Sequence, residues 1–312
     1  MKIYDGVSGR VGLMLSSLVF CVTCSCGDPE PSPGGNGLSD QFETTPEQFP
    51  IAAGIIDEAS GLAASATMPG YLWTIQDSGQ PNSLYLISKD GKTIKEYNVP
   101  GSNNHDWEEV AVGPGPDNGV SYAYIADIGN NNQPVTSTNT IYRIPEIKGA
   151  DGSFSQSALQ KITFSYPDGA RDAEALIVDP VTKDIFVLSK EMQGTNIYRL
   201  AFPQSTSDVS VAEKIGTVPG VLFATAATIS RDGSEIMVRT YTNGFIPAVY
   251  YWKRSNGETV GQTLVKSANK TLTVESEPQG EAICFENDGK GFYTLSEKAN
   301  AASVSLNYYK RK

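Results

Sequence analysis

Arg171-Asp172-Ala173-Glu174-Ala175-Leu176-Ile177-Val178-Asp179-Pro180 sets two acids, one residue apart, directly ahead of a short apolar run. The same shape stands upstream as Asp106-Trp107-Glu108-Glu109-Val110-Ala111-Val112 and downstream as Gln279-Gly280-Glu281-Ala282-Ile283-Cys284-Phe285. Fainter copies read Glu58-Ala59-Ser60-Gly61-Leu62 and Ala224-Thr225-Ala226-Ala227-Thr228-Ile229. Five copies at intervals of roughly 50 to 65 residues, with few helix signals between them, are the signature of a radial all-β repeat.

Working outward from each copy, the punctuation is that of antiparallel hairpins. Asp90-Gly91, Asp232-Gly233 and Asp288-Gly289, with Asp179-Pro180 in an equivalent place, separate runs rich in Ile, Val, Tyr and Phe. A second strand follows each copy: Leu72–Asp77, Ala123–Asp127, Ile185–Lys190, Ile236–Tyr241 and Phe292–Glu297. A third strand carries a recurring Ile-Tyr-Arg, at Ile141-Tyr142-Arg143 and Ile197-Tyr198-Arg199. Fourth strands are weaker, over Thr93–Val99, Gln160–Tyr166, Val211–Val218 and Leu264–Val274. The fifth unit lacks its fourth strand, and the segment around Phe49 to Ile56 is expected to supply it, closing the ring and removing an open sheet edge. The fold class is therefore all-β: a single β-propeller of five four-stranded blades over residues 43–312, its last blade closed by an N-terminal strand. Six blades are the alternative, if Ser153–Lys161 or Ser255–Lys270 hides a degenerate unit.

The first 26 residues read as an export signal. Lys2 and Arg10 precede the apolar stretch Val11 to Val22, which is too short to span a bilayer. Thr23-Cys24-Ser25-Cys26-Gly27 follows and resembles the lipobox of bacterial lipoproteins, with Cys26 the expected lipid-bearing residue and Cys24 the alternative. A plain secretory signal with incidental cysteines is the other reading. Residues 27–42, rich in Pro, Gly, Asp and Ser, are expected to form a flexible tether. Together these place the protein in the cell envelope, held to the outer membrane by lipid, on its periplasmic or surface side.

The net charge of -11 over 312 residues offers no basic stripe to replace phosphate counterions, which disfavours a nucleic-acid partner. Cleavage at Cys26 leaves only Cys284 of four cysteines in the folded part, which excludes a disulfide framework and a cysteine zinc site there. No Gly-x-Ser-x-Gly elbow exists, and the single histidine permits at most one triad.

In a propeller the start of the innermost strand and the end of the second strand lie on one face. That face gathers His105, Asp106, Glu108, Arg171, Asp172, Glu174, Lys190, Arg239, Glu281 and Glu297 as candidate ligand contacts. Crowded carboxylates repel, so either their pKa values rise or a cation sits among them. Calcium, a hard ion taking oxygen ligands in flexible numbers, is the expected cofactor, with Asp77, Asp127, Glu108, Glu174 and Glu281 as candidate ligands. Amide oxygens from Asn130-Asn131-Asn132 stand beside Asp127. The competing reading makes the repeated Glu residues structural latches that accept backbone amides from the next blade.

Ser60-Gly61-Leu62, Leu72-Trp73-Thr74 running to Asp77-Ser78-Gly79, Asp106-Trp107-Glu108-Glu109, Tyr124-Ile125 running to Asp127-Ile128-Gly129-Asn130, and Asp172-Ala173-Glu174-Ala175-Leu176 together resemble a family of bacterial propeller lipoproteins and secreted proteins frequent in Bacteroidetes. The resemblance covers roughly Asp57 to Glu297, and it implies a propeller with no settled activity. It extends more distantly to phytase-like and lactonase-like propellers, whose central acids hold calcium. The chain lacks the long acidic run of the phytases, and its fourth unit has Ala224 and Ala226 where acids would stand. Two functions remain open: a lipid-anchored binder of a carbohydrate, small molecule, peptide or partner protein, and a calcium-dependent hydrolase of a sugar, lactone or phosphate ester.

Overall fold

The computed structural model describes residues 37–130, 137–242 and 244–312. Five sheets follow one another along the chain, antiparallel except where the short strand Ser210–Val211 adds in parallel to Gln160–Ser165 at the edge of blade 2. Their innermost strands are Ala59–Ala64, Trp107–Pro114, Ala173–Val178, Ala224–Ile229 and Gln279–Phe285, in blades 1 to 5. Each leads outward through a second strand (Tyr71–Gln76, Ser121–Asp127, Ile185–Ser189, Glu235–Tyr241, Gly291–Glu297) to a third. The fifth blade is completed by Glu47–Pro50, which pairs with Ser305–Lys310 in the register Glu47↔Tyr308 to Pro50↔Ser305. The closing strand thus sits slightly earlier than expected, because Gly54, at a φ of 82°, turns the chain toward blade 1.

Neither long insert hides a sixth blade. The first holds a 3-10 turn at Gln156–Ala158 and buries Phe154 against Trp73. The second holds the helix Val260–Leu264, whose Thr259 and Gln262 form a capping box. That helix consumes part of the expected fourth strand of blade 4, which is shortened to Lys270–Leu272.

The core is divided among the five junctions between blades. Trp73, Leu84, Trp107 and Ile125 pack between blades 1 and 2, while Ile177, Phe186, Ile236 and Trp252 pack between blades 3 and 4. Sheets buried on both faces need side chains apolar on both, which is why these strands read as continuous hydrophobic runs. Charged staples reinforce the junctions. Arg254 grips Asp179 through two nitrogens at 2.9 and 3.1 Å, and Arg311 holds Glu235 at 2.9 Å by each arm.

Residues 1–36, 131–136 and 243 lie outside the described residues, and with them the signal segment, Cys24, Cys26, most of the expected tether and the amides of Asn131 and Asn132. The tether's expected end at residue 42 is too late. Phe42 bridges to Arg311 and meets Phe292 edge-on at 5.1 Å, and Asp40 pairs with Lys270 at 2.5 Å. An aromatic side chain with a core to enter does not stay in a linker. No helix among the described residues is long and apolar enough to cross a membrane.

Every innermost strand shifts register at the same place: between Ser60 and Leu62, Trp107 and Glu109, Ala173 and Ala175, Ala224 and Ala226, Gly280 and Ala282. The extra residues of these bulges are Gly61, Glu108, Glu174, Thr225 and Glu281. A bulge re-aims one side chain without disturbing the ladder on either side.

Glu109, the residue after the bulge of blade 2, crosses the axis. Its Oε1 accepts the amides of Leu62 (3.2 Å) and Val110 (3.1 Å), and its Oε2 accepts that of Ala227 in blade 4 (3.1 Å). A Cβ on Gly61 would lie 2.7 Å from that Oε1, so the latch requires glycine at this bulge. Glu109→Gln puts an amide NH₂ where one backbone donor needs an acceptor. Urea unfolding is expected to show a loss of about 2 kcal/mol; unchanged stability would mean that no latch crosses the axis.

Candidate functional site

Three bulges send glutamates to the mouth of the channel. Glu108 and Glu174 are 1% and 2% exposed, and Glu281 is also buried. Two residues before the bulge, blades 2 and 3 add Asp106 and Asp172, whereas the same position holds Ala59 in blade 1, Phe223 in blade 4 and Gln279 in blade 5. From the second strands come Asp77, Lys190 and Glu297.

Asp77, Asp106 and Glu108 each bring one carboxylate oxygen within 4.8 Å of the others. The turn Ile128-Gly129 folds over them, both amides donating to the Asp106 carbonyl at 3.2 Å. A Cβ on Gly129 would stand 2.2 Å from Glu108 Oε1 and 2.5 Å from Asp106 Oδ2, so this glycine makes the room the carboxylates occupy. Across the mouth Lys190 pairs with Glu174, and Gln279 Nε2 donates to Glu281 Oε1 at 3.1 Å.

Several expected site residues are placed otherwise. Asp127 accepts the Asp106 amide at 2.8 Å and Asp172 accepts the Asn130 amide at 2.8 Å, so both position backbone at the rim. Asp106, expected only as a ligand contact, stands in the carboxylate cluster where Asp127 was expected. His105 is exposed on the rim beside them. Arg171 is engaged by Asp168 (3.1 Å) and Glu191 (3.4 Å). Arg239 does not face a ligand. It is buried, paired with Glu277, and donates to the carbonyls of Ala282 (3.0 Å) and Leu295 (3.2 Å), bracketing blade 4 to blade 5. A Cβ on Gly280 would meet its Nη2 at 1.6 Å. Glu277, Gly280 and Gly129 escaped the sequence reading, because the partner that makes each one matter lies in another strand.

The mouth carries more acid than it neutralises. Burial, then Asp77 and Asp172, push Asp106 up to about 6, with His105 pulling the other way. Burial drives Glu108 and Glu174 well above the usual carboxylate range, reinforced by Glu174 in the first case and Glu281 in the second. Glu297 is pushed up to about 10 by burial and by Glu281 facing it. Burial opposes the charge of Lys190, yet Glu174, Glu281 and Glu108 outweigh it and raise its pKa. Glu108 Oε1, Glu174 Oε2 and Glu297 Oε1 are buried without a hydrogen-bond partner. An orphaned buried oxygen is costly, and a cation or a proton satisfies it.

The opposite end of the channel, beyond Glu109, opens into a cavity of about 320 Å³ lined by Val112, Val178, Ile229, Phe285 and Arg231 among others. Among the described residues it gathers no comparable cluster of titratable groups, so room and chemistry lie at different ends.

No family model matches the chain, and no curated protein matches it either. Solved structures similar to it include a luciferin-regenerating enzyme, with 12% identity over 85% of this chain and 95% of that one and a TM-score of 0.47. A Thermus thermophilus oxidoreductase of glucose dehydrogenase type shows 10% identity over 85% of this chain and all of its own, with a TM-score of 0.48. The Dos1 propeller gives 13%, 81%, 68% and 0.37 in the same terms. These neighbours are β-propellers, and at TM-scores this low the likeness carries no argument about this chain.

An acid whose pKa is raised by folding keeps its contribution below the unfolded value and loses it as pH climbs through the folded one. In chelator, therefore, stability contributed by the mouth is expected to fall as pH rises from about 4 through 6, where Asp106 ionises, toward 10, where Glu297 follows. Calorimetry across that range measures it. Stability rising steadily with pH would show that the acids are not held protonated.

Proposed function

We propose that the acid mouth holds a divalent cation, calcium by its oxygen-only donors, and that the protein uses this face to bind a polar ligand. The observation carrying the reading is the set of buried, unpartnered carboxylate oxygens on Glu108, Glu174 and Glu297 beside the Asp77, Asp106 and Glu108 cluster. Asp77, Asp106 and Glu108 would hold the ion, with Glu174 and Glu281 completing the negative surround. The ion would supply positive charge to which hydroxyl or carboxylate oxygens of a ligand bind. Lys190 keeps Glu174 oriented, and the rim residues Asp127 and Asp172 hold the strand starts in place.

Hydrolysis is the second reading, favoured by one feature: Glu297 stays protonated near neutral pH beside the cluster, as a general acid must. Loss of turnover in Glu297→Gln on any ester, lactone or glycoside would establish it.

Calcium at about a hundred times its dissociation constant adds about 2.7 kcal/mol of stability. For a chain of this size that is expected to raise the melting temperature by about 5 °C. Glu108→Gln is expected to abolish the shift while melting in chelator at or above the wild type, because an amide cannot ionise beside Glu174 and Asp77. A mutant that simply melts lower, in a protein blind to calcium, would make Glu108 a structural latch.

We also propose that the chain is exported and carries lipid on Cys26, in keeping with the basic and apolar stretches before it and the resemblance to bacterial propeller lipoproteins. Cys26→Ser is expected to move the protein from the detergent to the aqueous phase on partitioning and to remove the lipid mass. If only Cys24→Ser does so, the lipid sits on Cys24.

A further inference from the structure

Blade 4 breaks the pattern of the mouth twice. Its bulge residue is Thr225, which donates to the Gly280 carbonyl at 3.2 Å. Two residues earlier, where blades 2 and 3 set Asp106 and Asp172, it sets Phe223. The Phe223 ring centroid lies 6.0 Å from that of Phe245, with the planes inclined by 31°.

Both phenylalanines have left-handed backbone, at φ 46° for Phe223 and 59° for Phe245, a region that a bulky residue rarely adopts. Phe245 ends the hairpin between the second and third strands of blade 4. There its amide donates to the Thr242 carbonyl and the Thr242 amide to that of Ile246, both at 2.9 Å. Glycine would satisfy this position without strain, yet a phenylalanine stands there 75% exposed. Neither backbone ease nor core packing accounts for it, and strain of this kind collects at ligand sites. Ile246, next to Phe245 in the chain, is also exposed, as is Met192 beside Glu191, whose carbonyl accepts the Phe223 amide at 3.2 Å. At the mouth end of blade 4, where blades 2 and 3 set acids, two phenylalanine rings thus stand together.

We infer that the ligand of this face is a carbohydrate, with the C–H face of one pyranose ring lying on Phe245 and Phe223 and its hydroxyls reaching toward the acids. The inference rests on the proposed cation-holding mouth and names its ligand class. A pyranose is apolar on its faces and rich in oxygen at its edge, so it meets both surfaces at once. An apolar peptide would leave the carboxylates unserved, and a small anion would leave the platform bare.

The test is affinity electrophoresis of the protein through gels containing soluble neutral glucans, mannans and xylans, with calcium present. At least one polysaccharide is expected to retard the protein. Phe245→Ala and Phe223→Ala are expected to weaken that retardation at least tenfold, Phe245→Trp to retain it, and all three to keep the calcium shift in melting temperature. Phe245→Gly is expected to melt no lower than the wild type while losing the sugar. No retardation by any polysaccharide overturns the carbohydrate inference, and the calcium shift then stands or falls separately as the test of the mouth. Retardation indifferent to both phenylalanines, or a large loss of melting temperature in Phe245→Gly, overturns the platform. Binding only of cationic peptides, abolished by salt and indifferent to calcium, overturns both.

Discussion

Glu109 joins blades that are not neighbours in the ring. By accepting amides from blade 1, its own strand and blade 4, it ties three innermost strands to one point on the axis. The acid mouth lies at one end of the channel, and a cavity lined by both apolar and polar side chains lies at the other. Gly61 is part of the same device, since any side chain at that bulge would collide with the latch.

The repeated bulge determines the rest. One extra residue per innermost strand turns Glu108, Glu174 and Glu281 toward the mouth, while the strand beyond resumes its alternation and packs between blades. Buried charge is tolerated there only because something offsets it. Lys190 serves Glu174, Gln279 serves Glu281, and backbone amides serve Asp127 and Asp172. Glu108, Glu174 and Glu297 each keep one buried oxygen with no such partner, and it is there that a ligand would gain most.

Blade 4 shows how a repeat acquires direction. Where its neighbours set acids it sets Phe223 and Thr225, and Arg239 withdraws into the junction with blade 5 to pair with Glu277. A symmetric ring of five acids would bind an ion equally from every side. The actual face is asymmetric, with acids from blades 2, 3 and 5 and two phenylalanines in blade 4.

The sequence by itself determined the class and the count of the repeat: Asp-Gly turns, runs of Ile, Val and Tyr, and five copies of one acid-then-apolar shape are local signals, readable without knowing what packs on what. It also brought Asp106, Glu108, Glu174, Glu281 and Glu297 to one face, because strand direction follows from hairpin order. The helix after Thr259 was announced by its capping pair with Gln262, a local signal that the strand pattern around it obscured. Only the tertiary structure decided which acid does what. Glu108 and Glu109 are adjacent and chemically alike, yet one lines the mouth and the other locks the axis. Arg239 looked free for an anion until Glu277 and two carbonyls from blade 5 closed on it. A bulge, a latch and a bracket each depend on atoms brought from distant strands into contact, and the linear pattern of one strand holds no record of what stands across the channel from it.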